Sequence, residues 1–251
     1  AEGQIDVPQP TRELSAADLD SWLDGMLPAA LKQGDVAGAV VSVVKDGRLL
    51  FAKGYGYADV ARRTPMDPYR TLVRPGSTSK LFAWTAVMQL VEQGKLDLNA
   101  DINRYLDFKI PATHGRPVTL VNLMTHRAGF EEGLRDAIVN RPDQLDSLGD
   151  FLKRHQRPQL FAPGEVPAYS NYGTALAGYI VERVSGEPFN DYVPRHIFAP
   201  LAMRRSTFAQ PLPRLPGSVM SQGYMSATDA PVPFELISFA PAGALTSTAG
   251  D

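Results

Sequence analysis

Apolar residues at Leu19, Trp22, Leu23, Met26 and Leu27 recur at the three- and four-residue spacing of one helix face, and Ser15 with Asp18 supplies a capping pair to open that helix. Pro28 lacks an N–H and its ring crowds the preceding turn, so the helix is expected to kink or end there. Ala37 to Lys45 is a β-rich run, Arg48 to Tyr57 supplies a return run, and Asp46-Gly47 between them is a strong two-residue hairpin signal. The chain is therefore expected to open as helix, strand, strand.

From Ser77 to Val91 only Thr85 and Gln89 are polar beyond the first turn, so this helix, apolar on every side, is expected to be buried all round. Gly94 is placed to end it in a left-handed cap. Further helices are predicted over Thr119 to Arg127, closed by Gly129, over Gln144 to His155, over Tyr172 to Val184, closed by Gly186, and around Phe189 to Ile197. The 21 prolines fall mainly between these elements, and neither a repeat nor a low-complexity segment interrupts them.

Composition narrows the range of functions. At 251 residues and 44% hydrophobic content the chain can bury the core of one large domain or of two interleaved ones. A formal charge of -2, with no Lys/Arg run longer than two, argues against a nucleic-acid partner. Apolar stretches such as Val36 to Val44 fall well short of the roughly 20 residues of a spanning helix, so no transmembrane segment is expected. The absence of cysteine removes disulfides, thiolate nucleophiles and cysteine metal sites. With a start at Ala1-Glu2-Gly3-Gln4 that lacks an initiator Met, it favours a periplasmic or secreted protein. No pattern in the residues specifies an oligomeric state.

Ser-x-x-Lys arises by chance about once in a chain of this size, and here it occurs twice. Ser42 and Lys45 lie in the first predicted strand, where positions three apart point to opposite faces. Ser77 and Lys80 begin the apolar helix, where the same spacing makes them neighbours. A serine hydroxyl becomes a good nucleophile when a base takes its proton, and a lysine at the edge of an apolar helix can be that base once desolvated. The unpaired N–H groups of the helix start are suited to an oxyanion. Read by itself, the motif is equally compatible with Ser77 as a helix cap and Lys80 as a surface lysine.

Tyr169-Ser170-Asn171, the only Tyr-x-Asn in the chain, follows Pro163-Gly164 and precedes the helix expected from Tyr172. Alone it would be a capping turn. A Ser-x-x-Lys helix start followed by a Tyr/Ser-x-Asn is, however, the pattern of penicillin-recognising enzymes. Pro75 to Leu98 resembles the nucleophile helix and following turn of the class C β-lactamase-like group, and so does Thr119 to Gly129 with its Thr-His-Arg-Ala-Gly end. Pro163-Gly164, Tyr169 to Gly173, Gly178 to Gly186 and Ile197 to Met203 continue the resemblance in order along nearly the whole chain. The protein thus resembles the serine β-lactamase and penicillin-binding-protein family, which includes DD-peptidases and related esterases.

The resemblance implies an α+β, β-lactamase/transpeptidase-like fold, with an antiparallel sheet flanked by helices and a helical domain inserted in the middle. Residues 1–75 would form the N-terminal part of the α/β domain, 76–235 the mainly helical domain with the nucleophile helix at the interface, and 236–251 a return segment. By the same resemblance Ser77 is acylated, Lys80 helps deprotonate it, Tyr169 carries the proton to the leaving group, and Asn171 holds the substrate's amide. No cofactor and no metal enter this chemistry. His126 is read as a satisfied structural histidine, since it lacks metal-ligand spacing, and His114, His155 and His196 as surface or loop residues. Glu165 is given no role, and no Gly-x-Ser-x-Gly elbow is present to support a hydrolase triad.

The family's third motif, Lys-Thr-Gly or His-x-Gly, is absent after Asn171; Lys32-Gln-Gly34 and Lys45-Asp-Gly47 precede Ser77 and so stand in the wrong order. Thr248 with Asp251 is a helix-opening pair at the very end of the chain, so the last strands and helix of the fold are expected to be missing from it. The expected activity is that of a serine hydrolase acting through an acyl-enzyme on an ester, a β-lactam or a D-amino-acid amide. Its partner would be a small acyl compound or a cell-wall peptide. The alternative is a penicillin-recognising binding module that is acylated without turnover, and deacylation separates the two.

Overall fold

The computed structural model describes residues 13–134 and 136–251; the Ala1 to Gln4 start, on which the expectation of export partly rests, lies outside the described residues. Helix α1 spans Ala16–Gln33. Ser15 Oγ accepts from the Asp18 N–H at 3.2 Å while Asp18 Oδ2 accepts from the Ser15 N–H at 3.2 Å, a reciprocal cap that satisfies two groups the helix leaves unpaired. Of the two outcomes expected at Pro28, a kink or an end, the end is excluded, since α1 runs through it to Gln33. Asp24, whose carbonyl loses its partner four residues on, lies on the exposed side where water can replace the bond. Leu27 and Leu31 hold the last turns against the sheet.

The hairpin forms as expected. Strand β1 (Gly38–Lys45) pairs antiparallel with β2 (Arg48–Asp59), in a register that sets Ser42 opposite Ala52. Asp46 and Gly47 turn the chain with φ of 50° and 72°, the left-handed pair that matches the twist of the flanking strands. A short β3 (Thr64–Pro65) adds to the far side of β2, giving the order β1-β2-β3. Leu19 and Leu23 of α1 bury against Phe51 and Tyr55 of β2, and this forms a small core of its own.

The chain then passes through β4 (Thr71–Leu72) and a 3-10 turn at Gly76–Ser79 into α2 (Lys80–Glu92). There follow α3 (Leu120–Met124), β5 (Ile138–Val139), α4 (Leu148–Arg154), α5 (Asn171–Ser185) and α6 (Phe189–Val193). The return is made by β6 (Val219–Met220), parallel to β4, by β7 (Leu236–Ile237), antiparallel to β5, and by α7 (Ala240–Gly243). Ala83, Ala86, Val87 and Leu90 of α2 face Leu176 and Ile180 of α5 in the main core, which Phe151, Phe189, Tyr192 and Phe208 complete. Burying each large apolar side chain here contributes about 1.5–3 kcal/mol. Among the described residues no helix is long and apolar enough to cross a membrane.

Three expected helices differ in detail. Leu81 and Met88 are exposed, as are Thr85 and Glu92, so α2 is buried on most of its circumference but shows one stripe to solvent. Helix α3 stops at Met124, short of Arg127, because His126 takes a left-handed φ of 55° that no helix can continue. Helix α4 begins at Leu148, short of the expected Gln144, since Ser147 caps it through the Asp150 N–H at 3.1 Å.

Several contacts bring the end of the chain onto this body. A Cβ on Gly178 would lie 2.4 Å from Pro241 Cγ, so glycine is what lets α7 approach α5. Ser247 exchanges backbone bonds with Val73, Val73 N to Ser247 O at 2.8 Å and Ser247 N to Val73 O at 3.0 Å. Thr248 does accept from the Asp251 N–H at 3.2 Å, and the Asp251 carboxylate also accepts from the Arg205 N–H at 2.6 Å.

Candidate active site

The two Ser-x-x-Lys matches separate cleanly. In β1 the exposed Ser42 and the half-buried Lys45 stand on opposite faces, and the Lys45 ammonium is held by Glu13 at 2.9 Å and Asp46 at 2.7 Å. Ser77 and Lys80 straddle the junction of the 3-10 turn and α2, where residues three apart nearly eclipse one another. Lys80 Nζ lies 3.1 Å from Ser77 Oγ. The turn is tied to the return segment through Ser79, whose hydroxyl accepts from the Leu245 N–H at 3.1 Å and donates to Gly76 O.

Lys80 is buried, 5% exposed, and its Nζ also meets Asn171 Oδ1 at 2.7 Å and Ala242 O at 2.7 Å. Both of these oxygens can only accept, so each takes a Lys80 proton. The Ser77 hydroxyl can either accept from Lys80 or donate to it. The same geometry therefore suits an ammonium, with three donors, and a neutral amine, with two donors and a lone pair aimed at Ser77. The Tyr169 hydroxyl lies 2.6 Å from Ser77 Oγ on the solvent side, and the Tyr169 ring sits 4.8 Å from Lys80 Nζ. One serine oxygen thus contacts two proton carriers.

The segment carrying Tyr169 has no regular structure of its own and is held by the loop after α3. The Ala168 N–H donates to His126 O at 2.7 Å, the Ser170 N–H donates to His126 Nδ1 at 3.2 Å, and the His126 ring lies 4.5 Å from the Tyr169 ring at an angle of 32°. Burial and the Lys80 charge hold the His126 pKa below its ordinary value, against the opposing pull of Glu132. Ser170 then caps α5 by accepting from the Gly173 N–H at 3.0 Å, which leaves Asn171 as the first residue of the helix, facing Lys80.

The structure brings Ser77, Lys80, Tyr169 and Asn171 together. It adds three groups that sequence reasoning missed as parts of the site. His126, read as structural, packs directly on Tyr169. Glu132 accepts from Asn171 twice, at 2.7 Å from the backbone N–H and 2.9 Å from Nδ2. The third is the Ala242 carbonyl. A backbone carbonyl leaves no mark in a sequence, and Glu132 belongs to no motif that would single it out. Glu165 accepts from the Ala162 N–H at 3.3 Å within its own turn. Of the remaining histidines, His196 pairs with Glu187 at 2.9 Å and His155 stacks on Phe151 at 4.7 Å between ring centroids.

A three-stranded antiparallel sheet carrying α1, beside a helical body that presents a serine and a buried lysine at the start of its central helix, defines a β-lactamase/transpeptidase-like fold. The chain belongs to the beta-lactamase family: the family profile described as Beta-lactamase matches residues 23–251. The octameric penicillin-binding protein homologue from Pyrococcus abyssi superposes with a TM-score of 0.76 and 28% identity, covering 92% of this chain and 54% of that one. The β-lactamase/D-alanine carboxypeptidase from Pseudomonas syringae does so with a TM-score of 0.75 and 25% identity, covering 93% and 63%. Protein flp of Staphylococcus aureus (strain MW2) is 29% identical over 202 residues, 77% of this chain and 39% of that protein. The chain therefore spans well under half the length of this relative.

Proposed function

We propose that the chain is the catalytic part of a serine hydrolase that works through an acyl-enzyme on Ser77, with esters, β-lactams or D-amino-acid amides as substrates. One observation carries this reading: the Ser77 hydroxyl, open to solvent, has Lys80 Nζ at 3.1 Å on one side and Tyr169 OH at 2.6 Å on the other. With Lys80 neutral, Ser77 Oγ bonds to the substrate carbonyl carbon as its proton passes to Nζ. The positive end of the helix dipole at this turn receives the developing oxyanion. Tyr169 delivers a proton to the departing nitrogen or oxygen and is reprotonated from Lys80. Water then enters by the reverse path, and its proton returns to the Ser77 oxygen. Asn171 has one amide hydrogen on Glu132 and one oxygen lone pair on Lys80, which leaves a second N–H to hold a substrate carbonyl. The cysteine-free composition supports an exported setting.

The test is covalent labelling. A fluorescent penicillin or a fluorophosphonate should modify Ser77, as read by peptide mass spectrometry, with Ser77→Ala unlabelled and Ser42→Ala labelled like the parent. A label on Ser42 or on another serine would overturn the assignment. Release of the label over repeated turnovers marks a hydrolase, whereas a single stoichiometric burst marks a binding module that is merely acylated.

A further inference from the structure

We propose that Glu132 is a positioning residue for the Ser77 chemistry, acting through Asn171; this rests on the acyl-enzyme reading above. The geometry is a two-point clamp. Glu132 Oε2 takes the backbone N–H of Asn171 at 2.7 Å and Oε1 takes its side-chain Nδ2 at 2.9 Å, so one carboxylate grips both ends of the same residue. An asparagine amide can rotate by half a turn and exchange oxygen for nitrogen, but a carboxylate only accepts. Facing Glu132, the amide must present its N–H there and its Oδ1 to the opposite side, where Lys80 Nζ waits at 2.7 Å. Were the amide reversed, two donors would meet at Lys80, and its ammonium would lose one of its three acceptors inside a buried site. Glu132 thereby decides the orientation of the group that holds Lys80 against Ser77.

Glu132 comes from the loop after α3, the same loop in which His126 stacks on Tyr169. A single loop thus supports both proton carriers: Tyr169 through the His126 ring, and Lys80 through Glu132 and Asn171. A simpler role for Glu132 would be to cap α5, because the Asn171 N–H is one of the unpaired groups of that helix start. The two roles make different demands. A cap needs one acceptor, which glutamine also supplies, whereas control of the amide's orientation needs a group that cannot donate.

Glu132→Gln is therefore the informative variant, made in the full chain. Glutamine keeps the volume, but with its one oxygen on the Asn171 N–H to keep the cap, its amino group faces the Asn171 side chain and draws Oδ1 away from Lys80. The second-order rate of Ser77 labelling by fluorescent penicillin is expected to fall about tenfold to a hundredfold, the scale of a misplaced catalytic group, with the melting temperature unchanged. On a chromogenic ester the loss should fall on kcat rather than KM. In an Asn171→Ala background, Glu132→Gln should cost nothing further, since the group it orients is gone. In Glu132→Ala, added formate should restore part of the rate by supplying a carboxylate at the exposed position, and should have no effect once Asn171 is also alanine. A parent rate in Glu132→Gln, or an equal loss in the Asn171→Ala background, would overturn the proposal. The Asn171 side-chain amide provides a readout independent of activity. Its two protons should resonate apart and exchange slowly with water in the parent, and should approach free-amide behaviour in Glu132→Gln. If the parent is never labelled, the acyl-enzyme reading fails, and the Asn171 resonances alone then decide whether Glu132 sets the amide; no change between parent and Glu132→Gln would reject it.

Discussion

Lys53 in the α1 and sheet layer and Lys80 in the helical body are both held by oxygen atoms, yet they are held for opposite ends. Lys53 is gripped by two carboxylates, Asp20 at 2.7 Å and Asp24 at 2.6 Å, which keep its pKa above the ordinary lysine range. They keep it charged, in exposed pairs that bridge α1 and β2. All hydrogen-bond partners of Lys80 among the described residues are neutral: a hydroxyl, a side-chain amide and a backbone carbonyl. Such partners fix the position of the amine without placing a neighbouring negative charge beside it. A lysine gripped by carboxylates is kept charged, and Lys45, paired with Asp46 and Glu13, is a second case.

The sharpest test of the contrast is to remove each lysine. Lys80→Ala should lower the rate of Ser77 acylation by about two to four orders of magnitude, and Tyr169→Phe by a similar range, as expected for a lost proton carrier. A Tyr169→Phe protein with full activity would reduce Tyr169-Ser170-Asn171 to a capping turn. Next in size are the two cores. Leu176→Ala, at a fully buried position of α5, should cost about 2–5 kcal/mol in urea unfolding. Leu23→Ala should fall toward the low end of that range, since its cluster has solvent on one side and can relax, and should leave the labelling rate of the folded protein unchanged. If Leu23→Ala slowed labelling as much as Leu176→Ala, the two regions would not be separable in function.

A smaller effect concerns pH. The His126 pKa is held below its unfolded value of about 6.5. The unfolded chain therefore takes up this proton first on acidification. The contribution of His126 to stability is complete above that pH and declines as the pH falls toward the folded pKa. Protonation at Nδ1 would also break its bond from the Ser170 N–H. His126→Asn, which tolerates the left-handed backbone, should flatten the dependence of melting temperature on pH below about 6.5. An unchanged slope would assign it to other groups. Smallest of all, Lys53→Ala should leave both the melting temperature and Ser77 labelling unchanged at physiological salt, because its pairs are exposed and screened.

Where neighbouring residues decide the outcome, the amino-acid sequence is sufficient. The Ser15 and Asp18 cap, the Asp46-Gly47 hairpin and the closure of α5 by Gly186, with its φ of 76°, are contests among residues a few positions apart. The Ser77 and Lys80 pair is legible for the same reason: one turn of helix fixes their distance whatever the rest of the chain does. Tyr169 and Asn171 are legible only as a motif, because they reach Ser77 across 92 positions and Lys80 across 91, and depend on the His126 loop holding an irregular segment in place. Local preference also left open the continuation of α1 past Pro28, and missed the exposed stripe of α2 and the end of α3. In each of these, solvent access or a distant contact outweighed local preference. Glu132 and the Ala242 carbonyl were reserved to the tertiary structure, since a carboxylate without a motif and a main-chain oxygen acquire a role only from what packing brings against them. Lys80 needs three acceptors from three parts of the chain, and only the folded core can gather them around one buried amine.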